Sequence, residues 1–338
     1  MSTPDLFALP VDDADLARLE VRLGDSVVGD DPFLNEVASH LIAAGGKRLR
    51  PSLALMAPKL AGAEVTDAVL LGGVSVELVH LASLYHDDVM DEATRRRGVD
   101  SVNARWGNLV AIVAGDFLLA RSAEIAASLG TEVAGLLAAT LARLCQGQVA
   151  EVRSAFQVDR DETDYLHAIS DKTAALMSTA CRIGGLCCGL DRGTIEGLTE
   201  FGEAFGMVFQ IRDDVLDVVA TEEELGKPPG QDLAEGIYTL PVQQALQDPV
   251  VGPALKSLLG APLSEEERET ARHLVASSPG ILAGSEMARG YAKRAAAAAM
   301  TLGPGSPADA LADLALNVAS DLEDSAERAR SRFEALAG

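Results

Sequence analysis

Aromatic residues, lysine and cysteine are all scarce in this chain of 338 residues. Aromatics make up 4% and β-branched runs are short, while Ala and Leu abound, a balance that favours helices over sheets. Lysine occurs only six times, and 28 basic residues stand against 51 acidic ones, for a net charge of −23. Nucleic-acid binding wants a basic face and is therefore disfavoured, and any local basic cluster stands out. The four cysteines, Cys145, Cys181, Cys187 and Cys188, have no metal-ligand spacing and read as reduced small hydrophobes, as in a cytoplasmic protein. The stretch MSTPDLFALPVDDADLARLE is acidic and lacks the basic region of a signal peptide. Apolar runs such as LVAIVAG at 109–115 are too short to span a bilayer, so membrane contact is expected only from outside. HExxH, GxSxG, Walker and Rossmann glycine patterns are missing, which leaves Ser or Cys nucleophile chemistry without support.

What the chain does have is helical periodicity over most of its length. Residues 1–14 read as a flexible tail and 15–338 as one all-α domain of ten or more helices. Helices are expected from near Leu16, over 33–44, from Pro51, and over 66–90, 101–129, 131–155 and 162–189. Further ones are expected over 193–219, 238–246, 263–277, 284–302 and 307–335. Gly130, Asp191-Arg192-Gly193, the KPPGQD loop at 227–232 and Gly303-Pro304-Gly305 supply breaks. Several central helices are apolar nearly all round, as a buried inner ring requires.

One stretch, HDDVMDEATRRRG at 86–98, crowds three aspartates, a glutamate and three arginines together. Asp87, Asp88 and Asp91 form D-D-x-x-D within a helical run, where positions i and i+4 share a face. Anions this close repel unless a cation sits among them. Mg²⁺ suits the place, since it binds through one or two carboxylates plus substrate phosphates. With 27 aspartates in the chain, about 0.2 chance copies of the pattern are expected, so one copy alone is weak evidence. A second copy, Asp213, Asp214 and Asp217 in FQIRDDVLDVV, lies in strongly apolar sequence, where uncompensated charge is costly. Two facing acidic clusters suggest a metal-bridged polyphosphate.

Cations sit beside these clusters. GGKRLRP places Lys47, Arg48 and Arg50 at a Gly-Gly break before a helix, a setting that suits an anion. Arg95, Arg96 and Arg97 follow the first aspartates, Lys172-Thr173 lies in DKTAALMS, and Lys227 lies in the loop after the second aspartates. His80, seven residues before Asp87, is placed to donate to a phosphate; His86 is undecided, and His40, His167 and His273 read as structural. The combination points to a diphosphate held between metal and arginines. It would depart with growing negative charge, while apolar helices enclose a carbocation and a hydrocarbon tail.

These motifs resemble those of the trans-prenyl diphosphate synthases. GGKRLRP, both DDxxD motifs, GDFLLARS at 115–122, DKTAALMS and GKPPGQDLAEG…TLP occur in that family's order over about 40–245. The resemblance implies an all-α, single-domain barrel of long antiparallel helices around a deep central cavity, usually a homodimer. It implies Mg²⁺ as cofactor, roughly three ions per active site. The substrates would be isopentenyl diphosphate and an allylic diphosphate, condensed head to tail, with the proton passing to the departing diphosphate. Asp87, Asp88, Asp91, Asp213 and Asp214 would bind the metal, and Asp217 would complete the second motif. Arg96, Lys172 and Lys227 would contact the allylic diphosphate, with Thr173 and Gln210 near it. Lys47, Arg50, His80 and Arg97 would hold isopentenyl diphosphate. One departure stands out. Many members carry a lysine in EGKxTLP, whereas this chain reads EGIYTLP, so Ile237 leaves a cation either absent or supplied elsewhere.

Product length follows from the helix carrying the first aspartates. Ser83 and Ala82, four and five residues before Asp87, lie one turn deeper, where short-chain synthases commonly put a bulky aromatic floor. Both are small here, and Val79, Val76 and Ser75 come next. One turn is about 5.4 Å, comparable to an isoprene unit, so a long product of roughly C30–C50 is expected. Phe117, Leu118 and Leu119 on the opposing helix could still form a floor, which makes a product of about C20 the runner-up. A class I terpene cyclase is disfavoured by GGKRLRP together with a full second DDxxD, and a non-catalytic partner subunit by the integrity of both clusters. Release of a long product would allow peripheral contact with a membrane.

Overall fold

The computed structural model describes residues 6–225 and 228–337, with side chains through Phe333. Among the described residues the only strands are the two-residue pair Arg95–Arg96 and Val99–Asp100, and helices dominate the rest. The two aspartate motifs ride on the long helices Asp67–Met90 and Arg192–Val219. Each starts at a side-chain cap that satisfies an otherwise orphaned N–H. Thr66 accepts from Val69 N at 3.4 Å, and Asp191 accepts from Thr194 N at 3.1 Å.

Asp67–Met90 packs against Leu49–Ala61, Asn108–Ser128 and Ala175–Cys188. Arg192–Val219 packs against Ala175–Cys188, Gly280–Met300 and Ser306–Ala337. The approach to Ala175–Cys188 and the turn before it requires a missing side chain. A Cβ on Gly206 would fall 2.5 Å from Ala174 Cα. Phe201 and Phe205, stacked at 5.7 Å and fully buried, fill the core beside it. Each such side chain contributes roughly 1.5–3 kcal/mol through burial.

Several boundaries differ from the periodicity. The span expected at 101–129 is split at Gly107, whose φ of 87° ends Val102–Trp106 before Asn108–Ser128 begins. The helix expected from Pro51 starts two residues earlier, as Leu49–Ala61, with Pro58 inside it. The span expected at 162–189 contains a π turn, Ser170–Ala174. Gly252–Leu258 is an additional helix that the periodicity did not indicate.

Within the stretch expected as a flexible tail, Phe7 joins the core. Phe7 is 7% exposed, and its ring lies 5.4 Å from that of Phe209. Lys47 Nζ stands 4.3 Å from the Phe7 ring centre and the Arg212 guanidinium 5.6 Å, so the ring joins apolar burial to two cation contacts. Two helices also exceed the apolar run lengths considered above. Asp67–Met90 and Thr131–Ser154 are long and apolar enough, by length and composition, to cross a bilayer; 72% of the first window is buried in the bundle and 22% of the second.

Candidate active site

The first aspartates stand where their helix ends. Asp91 is the cap residue after Met90, and the Arg95–Asp100 hairpin turns the chain back over them. Asp87 and Asp91 line a cavity of about 1140 Å³ with Arg95, Arg96 and Arg97. Asp88 does not line it. Fully buried, it receives Arg96 Nε at 2.8 Å and Nη2 at 2.6 Å on one oxygen, while the other oxygen has no hydrogen-bond partner. Burial pushes the Asp87 carboxyl up to about 6 against the pull of Lys172, with Asp91 adding to the rise.

The second aspartates approach the same cavity. Asp214 accepts from Tyr165 Oη at 2.6 Å and from Gln210 Nε2 at 2.8 Å, and Thr173 Oγ1 donates to Gln210 Oε1 at 2.7 Å. Burial raises Asp214 to about 7 in spite of these donors. Asp217 holds a loop instead, accepting from Asp232 N at 3.1 Å through its side chain and from Gly230 N at 2.7 Å through its carbonyl. Lys227 lies outside the described residues. Lys172 stands on the π turn and pairs with Glu151. Gly147 lets the Glu151 helix come this close, since a Cβ there would lie 2.6 Å from Lys172 N.

A second chamber of about 420 Å³ adjoins the first and shares Asp87, Lys172, Thr173 and Gln210 with it. Arg50, His80 and Asp213 stand on its polar side; Val79, Leu119, Leu141, Leu144 and Phe209 form apolar wall. Burial and the nearby arginines 50 and 97 push His80 well below the usual imidazole value, so it is neutral. Glu77, buried beneath, is the counter-charge: Arg48 Nη1 reaches it at 3.0 Å, and Arg50 and Arg97 act on it.

Three expected substrate contacts stand apart from the inner chamber. Ala82 is fully buried but turned away from the chamber, in the cluster with Tyr85, Ala114 and Leu118, because one residue of helix rotates a side chain by about 100°. Ser83 does line the chamber. Lys47 lines neither cavity, since its ammonium rests on Phe7. Arg97 lines the outer cavity, but its Nη1 already donates to Gly45 O and, at 3.3 Å, to Leu41 O. Conversely, Glu151, Arg160 and Tyr165 line the outer cavity and were not singled out by the motifs. A Glu one turn after Gly147 on an apolar helix was the available signal.

The site's donors are carboxylate oxygens, which suit a hard cation such as Mg²⁺. Among the described residues no three His, Cys, Asp or Glu side chains form a metal-holding group. Mg²⁺ takes one or two carboxylates and completes its shell with phosphate and water.

Comparison with known proteins agrees with this geometry. The Polyprenyl synthetase family matches residues 31–276. The chain is 38% identical to the nonaprenyl diphosphate synthase of Mycobacterium tuberculosis, over 83% of this chain and 85% of that protein. It is 35% identical to heptaprenyl diphosphate synthase component 2 of Bacillus subtilis, over 89% and 86%. A polyprenyl synthase from Caulobacter crescentus, solved with calcium and isoprenyl diphosphate, superposes with a TM-score of 0.85 at 33% identity, covering 91% of this chain and 95% of that one.

Proposed function

We propose, from the premise that the chain belongs to the polyprenyl synthetase family, that it extends an allylic diphosphate with successive isopentenyl diphosphates to a long trans-polyprenyl diphosphate. The observation that carries the reading is the shared border of the two cavities, formed by Asp87, Lys172, Thr173 and Gln210, with Asp214 on the side of the polar mouth and Asp213 on the side of the apolar chamber. Asp87, Asp91, Asp213 and Asp214 would hold Mg²⁺, which when bound neutralises charge growing on the departing diphosphate.

The chain's own groups do the rest. Asp88 fixes Arg96, and with Lys172 this arginine grips the allylic diphosphate. Arg50 and neutral His80 hold isopentenyl diphosphate at the chamber's edge, near Asp213. Leu119, Leu141, Leu144 and Phe209 exclude water from the allylic cation. The isopentenyl double bond attacks that cation, and the proton lost passes to the departing diphosphate.

Ser83 keeps the chamber open on the aspartate helix, and the nonaprenyl and heptaprenyl relatives support a long product. Leu119 favours the second reading, about C20, because it projects into the chamber from the opposing helix. Sizing products made with labelled isopentenyl diphosphate and primers of about C5–C20 tests both readings. Products of about C30 or longer are expected; a stop at about C20 selects the second reading, and no extension rejects both.

Residues 15–338 act as one catalytic domain in this reading. Leu109, Ile112 and Val113 on one helix and Val149 and Val152 on its neighbour are exposed, a paired apolar face that supports a homodimer. Four free cysteines and the acidic surface support a cytoplasmic protein, with peripheral membrane contact for release of an insoluble product.

A further inference from the structure

Arg160 lies in the loop between Thr131–Ser154 and Glu162–Ile169 and lines the outer cavity with Asp87, Asp91, Lys172 and Asp214. Each of its cationic neighbours in that cavity has a protein acceptor of its own. Arg95 donates to Gly98 O at 2.8 Å, Arg96 to Asp88, Arg97 to Gly45 O, and Lys172 to Glu151. Arg160 has only a 3.5 Å contact from Nη2 to Asp164 O, and its Nε is buried with no hydrogen-bond partner. Among the described residues it makes no ion pair.

The guanidinium stands 5.8 Å from the centre of the Tyr165 ring, whose hydroxyl holds Asp214. Glu151, Asp214 and Asp164 act on it from a distance, and burial draws its pKa below the usual arginine value, yet a guanidinium keeps its charge. A half-buried cation with donors unused is costly, and a bidentate anion in the cavity would satisfy it. Ile237 lines the same cavity, at the position where the EGKxTLP pattern carries a lysine.

We propose that Arg160 binds the diphosphate of the allylic substrate and supplies the positive charge missing at Ile237. The proposal rests on reading the outer cavity as the allylic diphosphate site.

Arg160→Met keeps the aliphatic reach over Tyr165 and removes the charge. The Michaelis constant for the allylic diphosphate is expected to rise about tenfold or more, with that for isopentenyl diphosphate changed less than about twofold and the melting temperature retained. Adding Ile237→Lys to this variant should recover most of the lost allylic affinity. Calorimetric titration of wild type and Arg160→Met with inorganic pyrophosphate in EDTA should show the same weakening without turnover. An unchanged allylic constant, or an equal rise for both substrates, overturns the assignment; failure of Ile237→Lys to rescue overturns the compensation. A wild-type protein that binds pyrophosphate but extends no allylic primer would count against the functional reading, while the titration still decides Arg160.

Discussion

The two D-D-x-x-D segments share a spacing and differ in what each carboxylate does. In the first, the outer members Asp87 and Asp91 face the cavity and the middle one, Asp88, is spent on Arg96. In the second, the middle member Asp214 faces the outer cavity, Asp213 the inner chamber, and Asp217 holds the Gly230–Asp232 loop. The reason is position along the helix. The first copy runs off its helix end, where a hairpin folds back with an arginine, while the second lies within a helix against Tyr165 and Gln210. Spacing chooses the face from which a side chain leaves; neighbours choose whether it meets substrate or braces the fold.

The sharpest break of this comparison is Asp87→Ala, for which turnover should fall about a thousandfold while the circular dichroism spectrum stays unchanged. Asp88→Asn should cost less, about tenfold to a hundredfold in kcat/KM for the allylic substrate, by loosening Arg96. Equal losses in the two variants would erase the distinction between facing and bracing aspartates. Tyr165→Phe removes one donor to a charged carboxylate and should lower kcat about tenfold. Ser83→Phe should shorten the product, whereas Ala82→Phe should lower the melting temperature and leave chain length alone; the reverse pattern would place the tail on the other face of the helix.

The smallest effect concerns pH. Asp214 sits at about 7 against an ordinary 3.8. A carboxyl raised on folding favours the native state in acid, and that contribution is lost as pH climbs through 7. Metal-free wild type should therefore lose melting temperature relative to Asp214→Asn between about pH 4 and 7. Parallel pH profiles for the two proteins would contradict the burial of this charge.

Much of the site could be read in advance because its chemistry is concentrated in short motifs. Asp87, Arg96, Lys172 and Gln210 meet in one cavity as their spacing and resemblance suggested. Helix existence followed from periodicity, but helix phase did not. Neither Ala82 nor Ser83 differs in character from its neighbours, and a single residue of rotation decides which one sees the tail. Glu151, Arg160 and Tyr165 escaped because each is a lone residue brought in by packing rather than by motif. Phe7 escaped because its partners, Phe209 and Lys47, are remote in sequence.

The π turn at Ser170–Ala174 carries a constraint of a different kind. It accommodates one residue more than regular winding would, and Lys172 and Thr173 point into the cavity from within it. Loss of a single codon here would let the segment relax into ordinary helix and swing everything on one side of it by about 100°. The count of residues here is therefore as constrained as their identity, and a library that varies the letters freely but never the count is the safer route to altered specificity.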